Sequence, residues 1–180
     1  MTQRKGDWIQ TYTGKQFWPL DPRPEEVCLE DIAHALSNLC RFGGHCLKFY
    51  SVAQHSIHVA QQSLPIAGLL HDATEAYLID VPRPIKRNLT NYAEIENRLA
   101  VVIGERFNID LLVLPQIVKE ADERMLRTEK RDLLGPAPAP WTVAQGVSSE
   151  PYDDEITPWG PVLAKVEFLR YADNLGLTRL

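Results

Sequence analysis

The segment from residue 66 to residue 79 constrains the fold of this chain more than any other part of the sequence. It is almost continuously apolar, and its polar exceptions are four neighbouring residues: His71, Asp72, Thr74 and Glu75. Pro65 suits the first turn of a helix, whereas Pro82 and Pro84 would end one. The segment therefore predicts a central helix that is buried on nearly all sides, around which other helices must pack.

Apolar residues recur at helical spacing in several other segments. The predicted helices cover residues 25–40, 51–62, 92–107, 114–134 and 161–175. In the second of these helices we expect His55 on the buried face. The solvent-exposed face would carry four polar side chains: Gln54, His58, Gln61 and Gln62. The charged run at 120–132 alternates in sign and is interpreted mostly as a solvated helical face.

The fold class that these patterns predict is all-α, with a single helical-bundle domain over residues 1–180. Residues 1–25 contain several prolines and no sustained periodicity, so we expect an extended arm or a short hairpin there. Residues 136–160 contain five prolines together with glycine and acidic residues, which predicts a long surface loop before the last helix.

Composition excludes some classes of function. No apolar run approaches the ~20 residues that span a bilayer, and the N-terminus lacks the apolar core of a secretory signal, so we expect a cytoplasmic protein without a membrane partner. The three cysteines form no CxxC pair, which argues against a disulfide framework and a thiolate zinc site.

A net charge of −5 disfavours long nucleic acid as a ligand. A small phosphorylated substrate needs only a few local cations, such as Arg41, Arg83, Lys86 and Arg87.

Four polar residues fall on faces that periodicity places inside the protein: His55, His71, Asp72 and Asp122. A buried carboxylate is costly unless a cation or several donors compensate it. Taken alone, an inward histidine is usually a satisfied core residue, and an inward aspartate often pairs with an arginine. Two imidazoles and two carboxylates together suit a divalent transition ion with positions left open for water and a phosphate oxygen.

The ordered blocks CRFGGH, FYSVAQHS, GLLHDATEAYLIDVPRPIK and VKEADERML carry an H…HD…D pattern. This pattern resembles the HD-domain phosphohydrolases, and more narrowly the branch that contains the bacterial YfbR-type 5′-deoxynucleotidases and the phage dATP triphosphohydrolases (DatZ). The similarity covers about residues 31–134. The chain differs from the bacterial deoxynucleotidases in a shorter segment between His55 and His71, and in Phe42, where those enzymes have tryptophan.

The resemblance implies roles for individual residues. His55, His71, Asp72 and Asp122 match the metal ligands, which would hold Zn, Co or Mn rather than Mg. Glu75 matches an acidic residue near the attacking water, and Asp80 matches a carboxylate associated with the sugar or with catalysis. Arg41 matches a phosphate-binding arginine, Phe42 would pack on the nucleoside, and Lys86 is a candidate phosphate contact.

The function that follows is metal-dependent hydrolysis of a small deoxynucleotide at the 5′ P–O bond. The specific expectation is a dATP triphosphohydrolase that releases deoxyadenosine and triphosphate, in a bacterial or phage-encoded homo-oligomer. The alternatives are a 5′-deoxynucleotidase acting on monophosphates, another HD reaction on a cyclic nucleotide or an alarmone, and a nucleotide-sensing module without turnover.

Overall fold

The computed structural model describes residues 4–141 and 150–179. These residues are mostly helical, which confirms the helical prediction, and they contain one small antiparallel hairpin, β1–β2, within the predicted N-terminal arm. The strands and helices are β1 Ile9–Gln10, β2 Gln16–Phe17, α1 Leu29–Asn38, α2 Val52–Gln61, α3 Pro65–Leu70, α4 Glu75–Leu78, α5 Arg83–Lys86, α6 Tyr92–Phe107, α7 Gln116–Leu133 and α8 Pro161–Asn174. Short 3₁₀ turns lie at Pro24–Glu26, Arg41–Gly44 and Leu177–Arg179.

The core lies between α1, α2, α3, α6 and α8. Its large apolar side chains are completely buried, and they include Ile32, Leu36, Leu69, Leu70, Leu99, Ile103 and Phe168. A second group of buried side chains joins α2 to α7 through Val59, Val118 and Met125. Because α2 packs on α1, α3, α7 and α8, a side chain in the middle of α2 is surrounded by protein.

The first helix ends earlier than predicted. In segment 25–40 the α-helix covers only Leu29–Asn38, after the 3₁₀ turn at Pro24–Glu26, and the chain is already extended at Leu39. Cys40 then pairs with Ser51 in an isolated antiparallel bridge, and the amide of Arg41 donates to the carbonyl of Tyr50 at 2.9 Å. These contacts compete with the helix and turn the chain back, so that Arg41 lies beside the start of α2.

Helix α2 begins at the predicted place because the Ser51 side chain accepts a hydrogen bond from the amide of Gln54 at 3.1 Å. The prediction that Gln54 faces water is wrong, since its side chain is buried. Its amide donates to the carbonyl of Thr157 at 2.9 Å, and its oxygen accepts from the amide of Trp159 at 2.8 Å. The segment before α8 therefore covers part of the α2 face that was predicted to be exposed to solvent.

The segment 66–79 is not a single helix. After α3 the chain makes a turn over residues 71–74 and then continues into α4. In this turn each backbone hydrogen bond joins an amide to the carbonyl three residues earlier. The amide of Ala73 donates to Leu70 and that of Glu75 donates to Asp72, both at 3.0 Å. This tighter turn changes the direction of the side chains that it carries.

Gly68 allows α3 to approach α2 closely. A β-carbon at this position would lie 2.6 Å from the Cα of Ala60 and 2.7 Å from the Oγ of Ser63. Only glycine fits between the two helices without displacing backbone, because ordinary carbon contacts are about 3.5–4.0 Å. The close approach fixes the position of the turn that follows α3.

The other predicted helices are confirmed with small changes at their ends, and α6 has the predicted bounds. The short helix α5, which follows Pro82 and has Pro84 in its first turn, was not predicted. Within the predicted loop 136–160, the described residues 136–141 and 150–160 contain no helix or strand, whereas residues 142–149 lie outside the described part. Among the described residues, no helix is both long and apolar enough to cross a membrane.

Candidate metal centre

Two histidines from different elements point their ring nitrogens at the same place. The Nε2 atom of His55, on α2, lies 3.3 Å from the Nε2 atom of His71, in the turn after α3. Each ring uses its other nitrogen elsewhere: Nδ1 of His55 lies 2.6 Å from Oε1 of Glu129, and Nδ1 of His71 lies 2.7 Å from the carbonyl oxygen of Gly68. When Nδ1 carries the hydrogen that these acceptors require, both Nε2 lone pairs are free to bind a cation.

Aspartate oxygens complete the cluster. Oδ1 of Asp122, on α7, lies 3.2 Å from Nε2 of His55 and 3.9 Å from Nε2 of His71. The ligand atoms of these three residues all fall within 4.8 Å of one another. Zinc binds nitrogen and oxygen at about 2.0–2.2 Å, which puts neighbouring ligand atoms roughly 3–3.5 Å apart. The three residues therefore form a group that could bind a metal ion.

Asp72 lies beside this group. Its Oδ2 atom is 3.2 Å from Nε2 of His71 and 3.6 Å from Nε2 of His55, so it faces the same space. The same oxygen is 3.7 Å from Nη1 of Arg41. Asp72 is thus positioned between the histidines and an arginine, and its assignment as the fourth ligand stays a prediction.

The electrostatics of the cluster call for a positive charge. Burial lowers the pKa of His55 and Arg41 lowers it further, but the carboxylates of Glu129 and Asp122 outweigh both and raise it to about 9. Burial alone would raise the pKa of Asp122, yet its hydrogen bond to His55 brings it down to about 2. The pKa of Asp72 is likewise far below its ordinary value because the His71 imidazole outweighs burial. Ionised carboxylates therefore surround imidazoles that must hold a proton or a metal.

Glu129, which sequence reasoning missed, lies behind His55. The prediction that run 120–132 is mostly solvated is wrong for this residue and for Glu123, since both are buried. While Oε1 of Glu129 accepts from His55, its Oε2 accepts from Nε of Arg41 at 3.1 Å. The spacing contained a signal: Glu129 follows Asp122 by two helical turns and so shares its inward face.

Arg41 is the predicted phosphate-binding residue, and it lies at the edge of the cluster. Its Nη2 atom is 3.0 Å from Oε2 of Glu129, in addition to its contact with Asp72. Burial lowers the pKa of Arg41, but the two carboxylates raise it more, so the guanidinium stays charged. The next residue, Phe42, adopts a positive φ of 57° and holds its ring centroid 5.5 Å from the guanidinium carbon. The two predicted substrate contacts are therefore adjacent in space.

Glu75 starts α4, one turn after His71 and Asp72. Its carboxyl is buried, and its Oε2 atom has no hydrogen-bond partner among the described residues. Burial raises the pKa of Glu75 well above its ordinary value, and the nearby Asp72 and Asp80 add to the effect. Burial also raises the pKa of Asp80 itself. The two predicted catalytic acids, Glu75 and Asp80, thus lie close together in a partly desolvated region next to the metal cluster.

Sequence comparison shows the family of this chain. No family model matches the sequence. The uncharacterized protein YfdR of Escherichia coli is 41% identical over 176 residues, which cover 96% of this chain and 97% of YfdR. The chain belongs to the YfdR family. A second relative, the uncharacterized protein RCAP_rcc00048 of Rhodobacter capsulatus, is 31% identical over 147 residues, or 73% of this chain and 75% of its own length.

The remaining predicted phosphate contact has a different partner in this YfdR-family protein. The ammonium of Lys86, on α5, forms an ion pair with Glu96 at 2.5 Å and lies 5.4 Å from the ring centroid of Tyr92. The cation nearest to the cluster on α5 is Arg83, whose Nη2 is 3.5 Å from Oδ2 of Asp122 and whose Nη1 donates to Glu123 at 3.0 Å. Arg83 was counted among the local cations of the sequence but was not assigned to the site.

Proposed function

We propose that this YfdR-family protein is a metal-dependent phosphohydrolase of the HD superfamily. The observation that carries the proposal is the convergence of both Nε2 atoms, 3.3 Å apart, with carboxylate oxygens of Asp72 and Asp122 against them. The order H…HD…D along the chain supplies these groups from α2, from the turn after α3 and from α7. The sequence blocks around them support the same assignment.

The donor set also supports a particular class of ion. Imidazoles and carboxylates together suit Zn²⁺, Co²⁺ or Mn²⁺ better than Mg²⁺, which prefers oxygen ligands and keeps its water. His55, His71 and Asp122 would hold the ion, with Asp72 as the fourth ligand. When bound, such an ion supplies a Lewis acid for a phosphoryl oxygen and lowers the pKa of a bound water.

The protein's own groups around the cluster would position the substrate and move the proton. Arg41 is held in place by Glu129, so its guanidinium can orient a phosphate without losing much side-chain entropy. Glu75 would orient the attacking water and accept its proton at Oε2, which is buried and has no hydrogen-bond partner among the described residues. Burial raises the pKa of Glu75 above its ordinary value, which makes its carboxylate a stronger base than an exposed glutamate.

The substrate proposal is a deoxynucleotide cleaved at the 5′ P–O bond, and the specific proposal is dATP giving deoxyadenosine and triphosphate. The phage-like sequence blocks favour the triphosphate over a monophosphate. Phe42 beside Arg41 places an aromatic ring next to a cation, an arrangement suited to a nucleoside that carries phosphate. The ring of Trp141 lies 6.2 Å from that of Phe42 and extends the aromatic surface.

Product chromatography tests the proposal. Purified protein would be incubated with Mn²⁺ and, in separate reactions, with dATP, dAMP, dGTP, dTTP and ATP. We expect dATP to give deoxyadenosine and triphosphate in one step. Stepwise formation of dADP and dAMP would rule out cleavage at the 5′ position, and faster hydrolysis of dAMP would make the protein a 5′-deoxynucleotidase. Absence of turnover for every nucleotide, in a protein that holds its metal, would contradict the enzymatic function.

A further inference from the structure

A cavity of about 510 Å³, widely open to solvent, lies beside the C-terminal half of α7, and the proposed metal ligands do not line it. Its lining includes three cationic side chains from one face of the helix, Arg127, Lys130 and Arg131, together with the apolar residues Leu134 and Pro151. No carboxylate is among the lining residues, although the whole chain carries a net charge of −5. The volume lies in the range of cavities that bind small molecules, about 300–1,000 Å³.

Two of these cations retain binding capacity. Arg127 uses Nη2 for a 3.3 Å contact with Glu123, but its Nε atom is buried and has no acceptor among the described residues. A buried donor without an acceptor is unfavourable, so an anion that reaches it would be stabilised. Lys130 forms no ion pair within the described part of the chain, and its ammonium lies 5.0 Å from the ring centroid of Trp141.

Arg131 has a different role. Its guanidinium binds Asp132 through Nε and Nη2, and it also donates to the carbonyls of Tyr152 and Asp154. These contacts tie α7 to the segment that precedes α8. Arg131 therefore forms part of the wall of the cavity, whereas Arg127 and Lys130 are left to recognise a ligand.

The cavity is connected to the metal cluster on two sides. Glu123, the partner of Arg127, also accepts from Arg83, which contacts Asp122. On the other side, Trp141 lies between Lys130 and Phe42. A group bound between Arg127 and Lys130 would thus be linked to the proposed metal ligand Asp122 through Glu123 and Arg83, and to the proposed nucleoside surface through Trp141.

We propose that this cavity is a binding site for oligophosphate, with Arg127 and Lys130 as its recognition groups. A guanidinium and an ammonium on one wall favour an anion with several charges and many acceptor oxygens, which describes phosphate better than a single carboxylate. The phosphate can come from the tail of a nucleotide in the metal site or from a separate effector. The proposal does not rest on the proposed hydrolysis, because binding is expected without turnover.

Calorimetric titration of the 180-residue chain with inorganic triphosphate tests the site. The titration would be made in a chelator at about 0.15 M salt, where unpaired surface charges are screened. We expect saturable binding that weakens at least about tenfold in Lys130→Ala and in Lys130→Glu. Lys119→Ala, which removes an exposed lysine of the same helix, is the matched control and should bind like the wild type. Circular dichroism would verify that each variant is folded.

The outcomes separate the two sources of phosphate. The titration is repeated on metal-loaded protein saturated with a dATP analogue whose 5′ oxygen is replaced by a methylene group. Competition for the part of triphosphate binding that Lys130→Ala removes would show that the cavity receives the nucleotide's own phosphates, whereas persistence of that part in the presence of the analogue would show a separate effector site. Wild-type affinity in both Lys130 variants would overturn the proposal, and so would absence of triphosphate binding to the wild type at millimolar concentration.

Discussion

The Nδ1 atom of His55 lies 2.6 Å from Oε1 of Glu129, and both side chains are completely buried. The second oxygen of Glu129 binds Arg41, so one carboxylate orients a proposed metal ligand and a proposed phosphate contact at the same time. Ionised Glu129 favours the histidine tautomer whose Nε2 lone pair faces the cluster. This acid therefore links a proposed metal ligand to a proposed phosphate contact.

We predict that Glu129→Gln weakens metal binding by roughly 10–100-fold without unfolding the protein, because the amide keeps the size of the side chain but loses its charge. Competition titration against a chromogenic chelator measures the affinity. Glu120→Gln, on the same helix, alters an acid that accepts from Gln116 at 3.0 Å; it is the control and should bind metal like the wild type. Unchanged affinity in Glu129→Gln would show that the contact does not tune the histidine.

Removal of a proposed ligand should have a larger effect. We predict that His71→Ala and Asp122→Ala each lose bound metal and turnover while their helical circular dichroism persists, since each takes one ligand from a different element. Elemental analysis of the purified variants measures the metal. His45→Ala and Asp153→Ala, which alter exposed residues, should keep their metal. Full occupancy in either ligand variant would exclude that residue from the site.

Periodicity was sufficient to predict the long helices, because each carries one continuous apolar stripe. Helix α6 has the predicted bounds, and α7 differs from its prediction only at the ends. The same pattern could not show the break between α3 and α4. His71 and Asp72 are compatible with a helix, and the close approach of Gly68 to Ala60 just before the turn is a tertiary contact that periodicity does not report.

The proposed ligands were found from the sequence because polar residues on an apolar stripe need compensation. The burial of Glu129 was not predicted, because this residue lies in a run of alternating charges, where one buried acid resembles its solvated neighbours. Its burial depends on His55 and Arg41, which come from distant parts of the chain. Gln54 was misjudged for a similar reason, since the segment that covers it is about 100 residues away in sequence.

The contact between α2 and α3 gives a test of packing. We predict that Gly68→Ala destabilises the protein by roughly 1–3 kcal/mol, because the added methyl would lie 2.6 Å from the Cα of Ala60. The melting temperature should fall by about 2–4 °C for each kcal/mol in a chain of this size. Gly135→Ala is the control, since a β-carbon there meets nothing within 4 Å. Equal melting temperatures for the two variants would show that the helices can separate at little cost.

Glu75 provides a test that separates chemistry from metal binding. We predict that Glu75→Gln retains its metal and loses about 10²-fold or more in kcat, as expected when a general acid–base group is removed. Metal content and steady-state kinetics are measured on the same preparation. Glu105→Gln, which alters an exposed acid of α6, should leave both unchanged. Loss of metal from Glu75→Gln would make this residue a ligand instead of a proton acceptor.

The same residue should also control how stability depends on pH in the metal-free protein. Because burial raises the folded-state pKa of Glu75 above its unfolded value, the folded protein binds the proton more tightly than the unfolded chain. Its contribution to the free energy of unfolding therefore decreases as pH rises from about 4.5 through the folded-state pKa. Glu75→Gln removes this dependence, so the variant should gain stability relative to the wild type as the pH rises, whereas Glu105→Gln should follow the wild type. Urea unfolding between pH 5 and pH 8 measures the difference, and parallel curves for Glu75→Gln and the wild type would show that Glu75 is ionised in the fold.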